Sequence, residues 1–253
     1  MLAVRLENKP ESSRWYPGGG IYRNVRLVVT EPVSVAHWGT YVTTPKVSSE
    51  SVTVDIQTHV DNKTDGKVEV RLESLLVDAE GKQVKKISST RKVKGERAVF
   101  EQTLTVKSPV LWELDNPYLY RLVTKVYADD RLVDTYTTPV GLRSIKFDKD
   151  QGFFLNGKKV KLKGVCLHHD LGPLGAAVNT RAIERQLQMM QEMGCNAIRT
   201  AHNPPTPELL DLCDRMGLLV QVEAFDEWKI GKNLNGYNQL FEKWAERDLQ
   251  AMI

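Results

Sequence analysis

Histidine, arginine and carboxylate residues follow three short apolar runs in the second half of the sequence. The first run leads into His168, the second ends at Arg199 and leads into His202, and the third ends at Glu223. If these runs are neighbouring parallel strands, their carboxyl ends meet at one edge of a sheet, where α/β folds place their chemistry. Imidazole, guanidinium and carboxylate groups gathered there are typical of ligand recognition, proton transfer or metal binding. The sequence therefore predicts a polar site at that edge.

Two histidines and one arginine are the strongest candidates in this group. His168 and His202 hold equivalent positions after consecutive apolar runs, which favours a site role over the alternative, a hydrogen bond between loops. Arg199 ends an apolar run, so we expect it to be buried and paired with a carboxylate across a barrel, because an unpaired buried charge is very costly. His59, inside an alternating pattern, is expected to be an ordinary surface or half-buried residue.

The carboxylates near the third run leave several interpretations open. Glu223, Asp226 and Glu227 are compatible with a metal cluster, a general acid and base, or solvated loop charges. A zinc site is disfavoured because HxxxH and HExxH spacings are missing, and His168 is adjacent to His169. The sequence also contains neither a GxSxG nucleophile motif nor a GxGxxG loop after a strand.

The hydrophobic pattern that must position these residues changes its period near residue 163. Before it, apolar residues alternate, as in 52–60, with turn residues about every ten positions. This pattern is typical of an antiparallel immunoglobulin-like β-sandwich, which we place at 31–142. After it, strands and helices alternate, which predicts a parallel sheet with right-handed crossovers. The predicted strands and helices, in chain order, are 160–165, 182–193, 195–199, 206–217, 218–223 and 238–253.

Several local signals set the ends and faces of these elements. Asn156-Gly157 predicts a tight hairpin within 153–160, and Thr206 is expected to cap a helix that opens with Pro207. The predicted inward faces of the first and third helices carry Ile183, Leu187, Met190 and Met193, and Phe241, Trp244, Ala245, Leu249 and Met252. The three cysteines, expected to be buried free thiols, are Cys166, Cys195 and Cys213.

Composition excludes several classes of protein. The 253 residues are 41% hydrophobic and carry a formal charge of +3 that is spread along the sequence, so we expect neither a nucleic acid nor a membrane as partner. No apolar run approaches the roughly 20 residues of a membrane span. The first residues, 1–7, are charged too early for a signal peptide. The compartment stays open, with bacterial periplasm and cytoplasm as the expectations for the whole protein.

The number of strand–helix units is too small for a complete fold. Three units neither close a barrel, which needs eight, nor form a doubly wound sheet, and the last predicted helix runs to the end of the sequence. We therefore expect the chain to be a fragment of a longer protein.

The segments that carry these features resemble the family 2 glycoside hydrolases, and among them the β-galactosidases of gut bacteria. The matching segments, in chain order, are 13–25 (SRWYPGGGIYRNV), 163–170 (KGVCLHHD), 196–205 (NAIRTAHNPP), 212–218 (LCDRMGL) and 223–227 (EAFDE). The resemblance implies three parts. These are the end of a sugar-binding jelly-roll domain at 1–30, the immunoglobulin-like sandwich at 31–142, and the first three βα units of a TIM barrel at 143–253.

The resemblance also implies roles for individual residues. His168 and His202 match histidines that line the sugar subsite, and Arg199 matches an arginine that supports the nucleophilic carboxylate. On the same rim, Asn203, Asp226 and Glu227 are expected to bind substrate. Glu227 matches a magnesium ligand of some members, but those members have histidine two residues further on, where this chain has Lys229. We therefore expect no metal and no other cofactor.

The implied reaction is retaining hydrolysis of a terminal β-D-galactoside in an oligosaccharide, with one carboxyl as acid/base and another as nucleophile. In the family the acid/base lies in an Asn-Glu dipeptide after the fourth strand, and the nucleophile lies on the seventh. This chain contains no Asn-Glu dipeptide and ends before a fourth strand. We therefore expect no catalytic carboxylate here, not even Glu223 or Glu227, and no activity of the chain alone.

Other functions remain open at this level. The same scaffold is compatible with a β-glucuronidase or a β-mannosidase, because residues that read the C5 and C6 substituents lie outside these segments. A different class is a non-catalytic carbohydrate-binding or interaction module. We further expect that the whole protein forms a homo-oligomer.

Overall fold

The protein is described by a computed structural model that covers residues 3–13 and 20–252. The chain divides into two compact units. The sandwich unit comprises Leu27–Lys161 and Asp214–Gly217, and the βα unit comprises Met1–Arg26, Leu162–Cys213 and Leu218–Ile253.

Within the residues described, there is no helix with the length and hydropathy needed to cross a bilayer.

Seven antiparallel strands form the two sheets of the β-sandwich within the sandwich unit. The strands are β1 (Val33–Val47), β2 (Ser51–Asn62), β3 (Val68–Val77), β4 (Gln83–Val93), β5 (Arg97–Lys107), β6 (Tyr120–Ala128) and β7 (Arg131–Val140). One sheet has the order β1-β2-β5 and the other β4-β3-β6-β7. The predicted immunoglobulin-like sandwich is thereby confirmed.

Alternating burial along the strands builds the core of this unit. In β2 every second residue is buried, as the sequence predicts, and β5 follows the same alternation. Two clusters of buried aliphatic and aromatic side chains result, one around Val54 and Leu122 and the other around Leu72 and Phe100. Buried Gln102 keeps to the inward face of β5, where its amide bonds Ser74 Oγ at 2.7 Å and Ser89 Oγ at 2.9 Å.

A small antiparallel sheet follows the sandwich strands. It contains β8 (Ile145–Asp148), β9 (Gly152–Leu155) and β10 (Lys158–Lys159), in the order β10-β9-β8. Asn156 and Gly157 join β9 to β10 with φ values of 50° and 75°, the positive values that a type I′ turn requires. The hairpin predicted from these two residues is confirmed.

The βα unit contains three parallel strands that alternate with three helices. Its elements are β11 (Gly164–Leu167), α1 (Thr180–Glu192), β12 (Ala197–Thr200), α2 (Pro207–Met216), β13 (Leu219–Gln221) and α3 (Asn238–Met252), with a 3₁₀ turn at Gly172–Leu174. The strand order is β11-β12-β13. Parallel pairing places Cys166 beside Arg199 and Arg199 beside Gln221. The predicted parallel sheet is confirmed.

Some predicted boundaries are wrong. The first parallel strand begins at Gly164 rather than Val160, because Val160 N–H still bonds Phe153 O of the hairpin at 2.9 Å. Helix α1 begins at Thr180, since the Asn179 side chain caps it by accepting from Ala182 N at 3.0 Å. The predicted cap at Thr206 is also wrong, because its buried hydroxyl finds no partner among the described residues.

Side-chain burial in this unit also differs from the prediction. Ile183 and Leu187 of α1 are buried, but Met193 is 69% exposed. Helix α3 contains no buried residue, and Leu249 of its predicted inward face is 40% exposed. All three cysteines are free, yet only Cys213 is buried and Cys166 is exposed.

The predicted end of a jelly-roll domain at 1–30 falls partly outside the described residues, because 14–19 are not described. Within 3–13 and 20–30 the structure has neither strand nor helix. The three predicted domain ranges stay predictions.

Candidate functional site

Polar side chains follow the carboxyl ends of all three parallel strands. His168 comes directly after β11, His202 two residues after β12 and Glu223 two residues after β13. Arg199 lies on β12 itself, next to Cys166 of β11 in the pairing register. Because the strands are parallel and adjacent, these five residues share one edge of the sheet.

Glu223 joins Arg199 and His202 into one hydrogen-bonded group. Arg199 Nη2 forms an ion pair with Glu223 Oε1, and the His202 Nδ1 to Glu223 Oε2 distance is 2.8 Å. Arg199 Nη2 also lies 3.3 Å from His202 Nδ1. The Arg199, His202 and Glu223 side chains are 34%, 23% and 21% exposed, so this group is partly screened from water.

Arg199 is half-buried rather than buried, which corrects part of the prediction. The hydrogen bond from its Nη1 to Cys166 Sγ, 3.1 Å long, and the ion pair with Glu223 raise the pKa of Arg199 despite desolvation. Arg199 does pair with a carboxylate, but among the described residues this is Glu223 after the neighbouring strand β13, and not a carboxylate across a barrel as predicted.

His168 reaches the same group through the loop after β12. Its Nδ1 lies 2.9 Å from the carbonyl oxygen of Ala201, which precedes His202 in the chain. The rings of His168 and His202 meet edge to face, with centroids 5.5 Å apart. The two histidines predicted for the site are therefore neighbours, and the loop bond that was the alternative to a site role is also present.

Asp226 and Glu227 hold the loop after β13. Glu227 is 4% exposed, and its two carboxylate oxygens accept from Lys232 N at 2.6 Å and Asn238 N at 3.3 Å. The Asp226 carboxylate pairs with Lys232 Nζ at 3.3 Å. These observed partners lie within the loop and the start of α3, whereas Asn203 is exposed beside His202. Substrate binding by Asn203, Asp226 and Glu227 stays a prediction.

Aromatic side chains continue this loop onto α3. Phe225 stacks on Tyr237 with ring centroids 5.1 Å apart, and Trp228 stacks on Phe241 at 5.9 Å. Desolvation and the hydrogen bond that Tyr237 donates to Asp248, at 2.5 Å, raise the pKa of Tyr237 to about 12. The loop is thus fixed by a buried carboxylate on one side and by stacked rings on the other.

The N-terminal segment of the βα unit contacts the loop that carries His202. Arg23 Nη2 donates to Pro204 O at 2.9 Å, and Glu208 Oε1 accepts from Asn24 Nδ2 at 2.6 Å and Arg26 Nη2 at 3.3 Å. Desolvation acts to raise the pKa of Glu208, but the Asn24 hydrogen bond and the nearby arginines outweigh it and lower that pKa. Sequence reasoning missed this contact because nothing local links 23–26 to 204–208.

Among the described residues, no group of three or more histidine, cysteine, aspartate or glutamate side chains has an arrangement that would hold a metal ion.

The sandwich unit has an open cleft of about 650 Å³ beside Trp112. Desolvation lowers the pKa of Arg143, whose guanidinium lies over the Trp112 ring at 4.7 Å. The cleft contains none of the predicted site residues. We therefore regard the edge of the parallel sheet as the candidate site.

Two family models match consecutive parts of the chain. Residues 36–143 match glycosyl hydrolases family 2, and residues 147–247 match the TIM barrel domain of glycosyl hydrolases family 2. The chain belongs to this family of hydrolases, and it contains the family's sandwich domain followed by the start of its TIM barrel domain.

Individual relatives agree with this assignment. The chain is 53% identical over 255 residues to the β-galactosidase BoGH2A of Bacteroides ovatus. The alignment covers 100% of the chain and 30% of that protein. The chain is 34% identical over 253 residues to a putative β-glucuronidase of Formosa agariphila, with 100% of the chain and 24% of that protein covered. The chain thus spans less than a third of the length of these relatives.

A solved structure of a glycosyl hydrolase family 2 member from Bacteroides cellulosilyticus has the same fold over nearly the whole chain. Its TM-score is 0.92 at 40% sequence identity, with 95% of this chain and 31% of that chain covered.

Proposed function

We propose that the whole protein to which this chain belongs is a retaining glycosidase that removes terminal β-D-galactosides from oligosaccharides. In this proposal the chain supplies the part of the barrel that holds the terminal sugar. The observation that carries it is the group formed by His168, Arg199, His202 and Glu223 at one edge of the parallel sheet. The 53% identity to a β-galactosidase along the full chain supports the choice of sugar.

The geometry suits sugar binding better than bond cleavage. Retaining cleavage needs two carboxyl groups about 5 Å apart, one as acid/base and one as nucleophile. Glu223 is engaged by Arg199 and His202, and both oxygens of Glu227 are engaged by backbone N–H groups. We therefore assign both catalytic carboxylates to barrel strands that follow Ile253.

Within this proposal, His168 and His202 bind sugar hydroxyls and Arg199 supports the nucleophile. Asn203 and Asp226 extend the same rim, and Glu227 acts through the shape of its loop. The jelly-roll end at 1–30, the sandwich at 31–142 and the barrel portion at 143–253 complete the proposed organisation, with a homo-oligomer as the proposed assembly of the whole protein.

A β-glucuronidase is the second candidate, because a relative with that putative name is 34% identical along the whole chain. The substrates of the two candidates differ in the configuration at C4 and in the group attached to C5, which is hydroxymethyl in a galactoside and carboxylate in a glucuronide. Substrate preference therefore separates them directly.

The test compares this 253-residue chain with a polypeptide that continues it to the length of its relatives. Both are assayed with nitrophenyl β-galactoside, β-glucuronide and β-mannoside. We expect no release by the 253-residue chain, and the highest kcat/KM of the longer polypeptide with the galactoside. A preference for the glucuronide selects the second candidate. Turnover by the short chain that is lost in Glu223→Gln or Glu227→Gln contradicts the proposal.

A matched pair of variants tests the histidine role in the longer polypeptide. His202→Ala removes a side chain of the proposed subsite, whereas His59→Ala changes a half-buried histidine of β2 in the sandwich unit. We expect kcat/KM to fall roughly a hundredfold for His202→Ala, which is the loss typical of removing one hydrogen bond that stabilises a transition state. His59→Ala is expected to leave it unchanged. Equal effects of the two variants would contradict the assignment.

A further inference from the structure

We propose that Glu223 is a positioning residue that fixes the tautomer of His202. Its carboxylate holds the ring proton on Nδ1, so that Nε2 is presented as a hydrogen-bond acceptor for a sugar hydroxyl. The sugar part of this statement rests on the proposed function, whereas the tautomer depends only on the contacts within the chain.

The distances around Nδ1 of His202 decide where the ring proton lies. Glu223 Oε2 is 2.8 Å from Nδ1 and Arg199 Nη2 is 3.3 Å from it. An ionised carboxylate only accepts hydrogen bonds, so the shorter contact is favourable only if Nδ1 carries a proton. If Nδ1 were unprotonated, two lone pairs would face each other at 2.8 Å, while the guanidinium would gain only the longer bond.

Arg199 cannot replace Glu223 in this role, because a guanidinium has donors and no acceptor. Its Nη2 forms the ion pair with Glu223 Oε1, so the two carboxylate oxygens serve different partners. Because charge-assisted hydrogen bonds are strong and directional, Arg199 holds the carboxylate in place while the other carboxylate oxygen accepts from His202. Arg199 therefore acts on the histidine through the carboxylate.

The Glu223 carboxylate is fixed before any ligand binds. The backbone N–H of Glu223 donates to Thr200 Oγ1 at 3.1 Å, which ties the end of β13 to buried Thr200 at the end of β12. Arg199 is held in turn by its bond to Cys166 Sγ at 3.1 Å. Such support keeps a binding group within a few tenths of an ångström of its working position.

His168 has the same tautomer for an independent reason. Its Nδ1 lies 2.9 Å from Ala201 O, and a carbonyl oxygen only accepts, so this nitrogen donates. Two adjacent imidazoles thus have their Nδ1 protons fixed by the protein, one by a carbonyl and one by a carboxylate. Only the His202 proton is held by a side chain, and a side chain can be replaced by mutation. Glu223 is therefore the residue to change in the experiment.

The test is long-range ¹H–¹⁵N NMR spectroscopy of the histidine rings in the full 253-residue chain. Spectra are recorded near pH 8, above the ordinary imidazole pKa of about 6.5. The His202 signals are identified by their loss in His202→Gln. We expect a protonated Nδ1 and an unprotonated Nε2 for His202. An Nε2-protonated ring or a doubly protonated ring at this pH overturns the proposal.

Three variants separate positioning from mere packing. Glu223→Ala removes the acceptor, and we expect His202 to move toward the Nε2-protonated form that free imidazole prefers. Glu223→Gln keeps an amide oxygen at the same place and is expected to retain the Nδ1-protonated form in part. Glu246→Ala, an exposed site on α3, is the control and leaves the His202 signals unchanged. An unchanged tautomer in a folded Glu223→Ala chain overturns the proposal.

Failure of this inference and failure of the proposed function are distinguishable. The tautomer is read in the 253-residue chain without substrate, and activity is read in the longer polypeptide. If the tautomer is as expected but the longer polypeptide cleaves no β-glycoside, the proposed function fails and the role of Glu223 stands. If the longer polypeptide cleaves a β-galactoside but His202 has the other tautomer, the role of Glu223 fails and the proposed function stands.

Discussion

The sandwich unit and the βα unit use their side chains in opposite ways. In the sandwich, seven strands turn alternate residues inward, and two large hydrophobic clusters result. In the βα unit, polar groups gather at one edge of a three-stranded sheet, and α3 buries no residue. The first unit therefore contains most of the buried apolar surface, and the second contains the candidate site.

This difference shows that the chain keeps most of its apolar core apart from the polar candidate site. Each buried aliphatic side chain of the sandwich contributes about 1.5–3 kcal/mol of hydrophobic free energy. The Arg199–Glu223 pair is partly exposed, so water screens the attraction between its two charges. The contribution of this pair is to orientation, because it fixes side chains of the candidate site.

The largest expected effect is on the stability of the sandwich. Leu122→Ala removes a fully buried side chain from β6, and we expect it to lower the free energy of unfolding by about 2–5 kcal/mol. Leu249→Ala, the matched change on α3, alters a side chain that is 40% exposed and should cost less than about 0.5 kcal/mol. Urea unfolding followed by circular dichroism measures both. Similar costs would remove the contrast between the units.

The next effect is a difference in backbone protection. Amides of β2 and β3, strands that are paired on both sides within their sandwich sheets, should exchange at least about a hundredfold more slowly than amides of β12 and α3, because local opening follows the density of buried contacts. The outer strands of the three-stranded parallel sheet also present unpaired edges. Hydrogen exchange measured peptide by peptide tests this. Equal protection in both units contradicts it.

The smallest effect is a pH dependence at the contact between 23–26 and α2. The pKa of Glu208 is lowered in the folded state, so its ionised form adds stability above the unfolded pKa of about 4.3, and this is lost as the pH falls below it. At pH 7 we expect Glu208→Gln to destabilise α2 by about 1 kcal/mol.

Hydrogen exchange of α2 amides measures the Glu208 effect at pH 7 and near pH 3, where the difference between wild type and Glu208→Gln should shrink. Glu246→Gln, at an exposed position of α3, is the control and should leave α2 unchanged. A difference that grows as the pH falls would show that the sign is wrong.

Local sequence patterns predict much of the fold, because strand alternation and turn conformation depend on residues that are close in the sequence. Alternation over 52–60 predicts β2, and Asn156-Gly157 predicts the hairpin because few residue pairs tolerate two positive φ values. The start of β11 was missed because its bounds depend on pairing with Ala197, 33 residues away, and not on its own composition. The inward face predicted for α3 contains no buried residue, and the contact of Trp228 with Phe241 covers it only in part.

The candidate site also has features that the sequence predicts and features that it does not. The types of His168, Arg199 and His202 and their places after apolar runs were enough to predict a shared edge. The link through Glu223 was not predicted, because the pattern of charges after 218–222 does not reveal which carboxylate turns toward β12. The Glu227 carboxylate instead accepts hydrogen bonds from the backbone N–H groups of Lys232 and Asn238.

The most direct measurement is a crystal structure of the longer polypeptide with a galactose-configured inhibitor. We predict a sugar hydroxyl within about 2.6–3.2 Å of His202 Nε2, the sugar in contact with His168, and Glu223 still bonded to His202 Nδ1. An inhibitor bound at the catalytic carboxylates without contact to either histidine would contradict the account.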